Sequence, residues 1–167
     1  VLLALVVAGC AGNPSDSDAT GGTVYRLYFL GGQSNMEGFG VSSQLAAADG
    51  GATPRVMIFT GRMTADNAEN GGIGVWTPLK PGHGTGFATD GRTNQLSDRF
   101  GPELAFGKRL AERLPTENIA IIKYTRGSST LAAGITGFDS WSPDDPAGKR
   151  RAAGTDARGE AVGRVRP

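Results

Sequence analysis

The stretch that most constrains the fold is GPELAFGKRLAERLPTENIAIIKY, residues 101–124. Pro102 suits the first turn of a helix, where its missing N–H costs nothing. Glu103 in that turn complements the positive end of the helix dipole. Phe106, Leu110 and Leu114 recur at i, i+4 and i+8 and make one apolar stripe. Pro115 ends the helix. Asn118–Tyr124 (NIAIIKY) follows almost at once; it is nearly all apolar and rich in β-branched residues, the pattern of a buried parallel strand. A helix with one apolar stripe running into a strand with two apolar faces predicts an α/β sheet.

Two further runs supply strands for that sheet. Val24–Leu30 (VYRLYFL) alternates with β-branched and aromatic residues and ends in Gly-Gly; Arg55–Thr60 (RVMIFT) lies between Pro54 and Gly61. Residues 61–97 are rich in Gly, Asn, Asp and Thr, and a loop that long inside a compact domain is more often functional than idle. No internal repeat is visible. At 167 residues the chain is long enough for one domain with a modest core. Its net charge of +1 gives no compositional case for nucleic-acid binding. That balance hides an asymmetry, because residues 148–167 hold six Lys/Arg against two Asp/Glu.

The amino end reads as targeting rather than fold. VLLALVVAGC is an apolar run closing on small residues before the single cysteine, Cys10. It is shorter than the ~20 residues that span a bilayer. Val7-Ala8-Gly9-Cys10 resembles a bacterial lipobox, which implies lipidation of Cys10 and an exported lipoprotein anchored to the membrane, periplasmic or at the cell surface. The alternative is a buried core strand with an unreactive thiol. The lipobox is favoured because AGNPSDSDATGGT, a Gly/Ser/Asp-rich tether over residues 11–23, comes next. With Cys10 modified, no cysteine remains for a disulfide.

In open α/β sheets, ligands sit at the carboxyl ends of the strands. Two polar, Gly-rich segments fall there: Gly31–Asn35 (GGQSN) and Thr125–Leu131 (TRGSSTL). Ser34, just past a strand, could expose its hydroxyl at the following turn. Its own N–H and those of Gly127 and its neighbours could converge on the same point, as an acyl-transfer oxyanion requires. The same features also fit ordinary turns and backbone-satisfying hydroxyls. Phosphate binding fits less well, because neither a Walker pattern nor a GxGxxG is present.

A resemblance narrows these options. GQSNMEG (Gly32 to Gly38) resembles the first block of the SGNH hydrolases, in the sialate O-acetylesterase and acetylxylan esterase branch, carbohydrate esterase family six. FGPELAF (Phe100 to Phe106) resembles a second block. IIKYTRGSSTL (Ile121 to Leu131) resembles a third of the form KxAxGGTxL, with Ser128 and Ser129 standing where Gly-Thr is usual. PGHGTGF (Pro81 to Phe87) and GFDSW (Gly137 to Trp141) also read like this branch. The likeness runs from about Tyr25 to Pro146, so residues 24–146 are expected to be the N-terminal part of the esterase domain. The resemblance implies a flavodoxin-like three-layer α/β/α fold with a parallel sheet, incomplete in this chain. It also implies hydrolysis of O-acetyl groups on sialic acid or xylan-type glycans, without a metal or other cofactor. It makes Ser34 the nucleophile and the N–H groups of Ser34 and Gly127 the oxyanion donors. Gln33, Asn35, Glu103, Ser128 and His83 would bind substrate or brace the site.

A serine hydroxyl needs a base, and the family's late DxxH block, like its middle WxQGE block, is not in the sequence. The single histidine, His83, lies far upstream of the family's base position and is expected to line the pocket or to bond a loop carbonyl. Asp144 and Asp145 read as turn residues. After Pro146 the likeness stops, and residues 147–167 read either as a basic tail for an acidic partner or as an out-of-frame translation. The break in an otherwise continuous pattern favours the second. These features predict a fragment with little activity of its own, the alternative being a catalytically inert carbohydrate-binding lipoprotein.

Overall fold

The structure is a computed structural model that describes residues 22–64, 69–132 and 139–142. Cys10, the apolar amino-terminal run, Asp144, Asp145 and the basic tail lie outside the described residues.

Four strands form the main sheet: β1 (Arg26–Gly32), β2 (Val56–Thr60), β3 (Trp76–Pro78) and β4 (Ile119–Thr125). Their order is β1-β4-β2-β3. β4 is parallel to both neighbours, pairing Arg26 with Ile119 through to Gly32 with Thr125 on one side and Val56 with Ile119 through to Thr60 with Lys123 on the other. β3 runs antiparallel to β2, setting Phe59 opposite Trp76 and Met57 opposite Pro78. The sheet is therefore mixed rather than purely parallel. The edge strand comes from residues 61–97, which also fold into a small hairpin pairing Ala88–Thr89 with Asn94–Gln95.

The first strand starts and ends two residues later than its apolar run. Gly31 and Gly32 stay in the ladder opposite Tyr124 and Thr125, so pairing with β4 overrides the weak strand preference of glycine. After β1 comes a one-turn helix, α1 (Ser34–Glu37), and two 3-10 turns, Ser42–Gln44 and Ala47–Asp49, precede β2. The helix α2 (Pro102–Arg113) has Pro102 at its first turn, and Leu114 and Pro115 follow its last residue.

One face of the sheet is packed against α2. Leu30, Val56, Ile58, Ile119 and Ile121 join Leu104 of α2, Met36 of α1 and Leu79 in one buried cluster. Strand alternation puts residues i, i+2 and i+4 on one face, so Lys123 lies on the same side as Ile119 and Ile121. The other face is less covered by the described residues: Leu27 is 54% exposed, Trp76 42% and Phe29 38%. The described residues thus make a mixed α/β unit with its long helix on one face, and they do not by themselves build three layers.

Candidate active site

β1 and β4 end side by side, and their following loops are joined. The N–H of Arg126 donates to the carbonyl of Gly32 at 2.9 Å. Two residues beyond Gly32 the chain turns into α1, whose first residue is Ser34. The carbonyl of Gln33 accepts from the N–H groups of Met36 and Glu37, both at 2.9 Å, and the carbonyl of Ser34 accepts from Gly38 at 3.0 Å. Met36 is buried in the core and anchors the turn, which leaves Ser34 half-buried and Gln33 and Asn35 exposed. As the first residue of a helical turn, Ser34 has no intrahelical acceptor for its N–H.

The exit from α1 depends on glycine. Gly38 has φ +98°, and a Cβ there would stand 2.2 Å from Cα of Gly101, at the start of α2. The beginning of α2 thus lies directly against the end of α1.

On the β4 side, Gly127 is close to the same turn. A Cβ on Gly127 would lie 3.3 Å from a carboxylate oxygen of Glu37. Ser128 follows with φ +56°, a left-handed conformation that a glycine adopts without strain. Ser129 is buried: its hydroxyl donates to the Arg126 carbonyl at 2.6 Å and pairs with the Trp141 indole N–H at 2.7 Å.

Beneath these loops sits a buried ion pair that sequence reasoning missed in part. Glu103 does not merely open its helix. It is fully buried, with one oxygen taking the N–H of Gly101 at 2.8 Å and the other the ammonium of Lys123 at 2.7 Å. Lys123 also donates to the carbonyls of His83, at 2.7 Å, and Glu37, at 2.8 Å. Burial pulls its pKa below the ordinary lysine value, and the carboxylate of Glu103 opposes that pull. The signal was available in the sequence: Lys123 occupies a core-facing register position in an apolar strand.

His83 is placed in the core. Its ring is 1% exposed, stacks on Phe87 and pairs through Nδ1 with the Thr60 hydroxyl at 2.8 Å, so the ring contacts a hydroxyl rather than a loop carbonyl. Burial, then the charges of Lys123 and Lys80, lower its pKa to about 4, and the ring is neutral near pH 7. Among the described residues no hydrogen bond links it to Ser34.

Residues 24–142 match the family described as carbohydrate esterase, sialic acid-specific acetylesterase. The chain belongs to this carbohydrate esterase family. No curated protein and no solved structure gave a match. The matched span takes in both loops at the sheet's carboxyl edge and all of α2. Family membership brings an ester-hydrolysing function on carbohydrate in general terms. The described residues of this family member hold no assembled triad: the one histidine is buried in the core, its Nδ1 pairs with Thr60 and its Nε2 meets no partner among the described residues.

Proposed function

We propose that this chain carries the nucleophile turn of a carbohydrate O-acetylesterase, which removes acetyl groups from sialic acid or xylan-type glycans. The supporting observation is the meeting of the Ser34 turn and the Gly127 loop at the carboxyl ends of β1 and β4, tied by the Arg126 N–H on the Gly32 carbonyl. In this reading the Ser34 hydroxyl attacks the acetyl carbonyl. The N–H groups of Ser34 and Gly127 receive the oxyanion, and one such donor contributes roughly 3 kcal/mol to lowering the barrier. Gln33 and Asn35, which are exposed beside Ser34, would contact the sugar. The proton of Ser34 goes to a base that the described residues do not supply. The family's three-layer arrangement would add a further helical layer on the face that carries Leu27 and Trp76. A lipidated Cys10 would hold the protein at a membrane.

Chemical rescue tests this reading on the chain as it stands. Imidazole in solution can take the role of a missing histidine base. Acetate release from O-acetylated sialic acid or acetylxylan is expected to be near background in buffer. In imidazole it is expected to rise above that of a Ser34→Ala variant under the same conditions. Equal rates for the two proteins in imidazole would refute the assignment of Ser34.

A second reading is favoured by one observation, the burial of the only histidine ring against Thr60 and Phe87 with no hydrogen bond to Ser34 among the described residues. In that reading the chain binds acetylated carbohydrate and does not turn it over. Saturable binding by calorimetry, with no rescue by imidazole, would select it.

A further inference from the structure

The four residues of α1 make a single turn, and a helix that short does not hold itself together in water. Contacts outside it must fix the position of Ser34. Met36 anchors one side of the turn in the apolar core, and the ion pair behind it supplies polar ties to its end. Lys123 has three N–H donors, and each meets an acceptor: a carboxylate oxygen of Glu103, the carbonyl of His83 and the carbonyl of Glu37. Glu37 is the last residue of α1, so the cation sits at the negative end of the turn that Ser34 begins. The second oxygen of Glu103 holds the N–H of Gly101, which adds the start of α2 to the same junction.

Stability alone is a poor account of this arrangement. The side chains of Lys123 and Glu103 are 1% and 0% exposed. A buried pair of this kind is commonly no more stabilising than apolar residues of similar volume. What apolar residues could not do is hold the main-chain carbonyls of His83 and of Glu37, from two separate segments, at 2.7 and 2.8 Å.

We infer that Lys123, with Glu103 as counter-ion, is a positioning residue that clamps the Ser34 turn to β4 and to the His83 segment. Its effect on turnover rests on the reading of Ser34 as nucleophile; the clamp itself does not. Thr85 adds a neighbouring tie, its N–H and hydroxyl both donating to the carbonyl of Gly38. The junction therefore converts core packing into placement of a half-exposed hydroxyl.

The test is the double variant Lys123→Met with Glu103→Gln, which removes both charges together and keeps an acceptor for Gly101. Two readouts are taken on the full chain. The first is amide exchange at Met36, Glu37 and Gly38, whose N–H groups make the bonds that define the turn. It is expected to accelerate about tenfold or more, while amides of β1 and of Ile119–Ile121 exchange as in the parent. The second is imidazole-rescued deacetylation, expected to lose about ten- to a hundredfold in kcat, the scale of a displaced reacting group, with KM within about twofold of the parent.

Unchanged exchange at the three amides overturns the clamp. So does an unchanged kcat where the parent shows Ser34-dependent turnover. A parent without such turnover refutes the esterase reading instead, and exchange then decides the clamp alone. If the double variant does not fold, Lys123→Gln with Glu103→Gln replaces it. Failure of both to fold assigns the pair to the core and overturns a positioning role.

Discussion

Ser128 takes φ +56°, where a side chain crowds its own carbonyl at a cost of about 1–2 kcal/mol. Glycine removes that strain but adds about 0.5–1 kcal/mol of chain entropy to be lost on folding. Ser128→Gly is therefore expected to stabilise the protein by about 0.5–1 kcal/mol, read from the urea midpoint; a lower midpoint would contradict the strain argument. His83 carries a pH prediction. Its folded pKa of about 4 lies below the ordinary histidine value of 6.5, so the unfolded chain binds the proton first as pH falls. The stability contributed by keeping the ring neutral is complete above about 6.5 and is lost as pH drops through that window towards 4. The unfolding free energy should fall between pH 7 and pH 4.5 more steeply in the parent than in His83→Gln; parallel curves would rule out His83 as the source. The proposed role of Ser34 draws on its place just past a strand together with the resemblance of GQSNMEG, since the local pattern alone also fits an ordinary turn. The burial of His83 was not legible, because a lone histidine among glycines gives no periodic pattern to place it.

Among the elements, α2 and β4 were readable because their apolar periods are unambiguous and Pro102 and Pro115 bracket the helix. β3 and α1 were not, being three and four residues long and without a period of their own. The antiparallel edge strand follows from tertiary pairing with β2 rather than from local preference. The contact of α2 with the sheet is unusually close at Gly107. A Cβ there would stand 2.2 Å from Cδ2 of Leu79 and 3.2 Å from methyl carbons of Ile121 and Val56. Gly107→Ala would gain about 1 kcal/mol of helix propensity at an open site. Here it should instead destabilise by about 1–2 kcal/mol net, because the fully buried Leu79 must shift. Denaturant unfolding checks the sign, and a stabilised variant would mean that the helix can lift off the sheet at little cost.

At the scale of the whole molecule, the described residues leave β1 at an open edge and Leu27, Phe29 and Trp76 on a partly exposed sheet face. An open strand edge beside apolar side chains is a template for association. Sedimentation velocity on the full chain should show concentration-dependent self-association that Leu27→Lys reduces without altering the circular dichroism spectrum. A monomer across the whole concentration range would contradict this. The same edge strand ends at Gly32 and runs directly into the α1 turn that carries the proposed nucleophile. The most direct test of that central claim is peptide mapping by mass spectrometry after incubation with O-acetylated sialic acid in imidazole and an acid quench. An acetyl group is expected on the peptide containing Ser34 and not on that of the Ser34→Ala variant. Acetate release with that peptide unmodified at every time point would show that Ser34 is not the nucleophile.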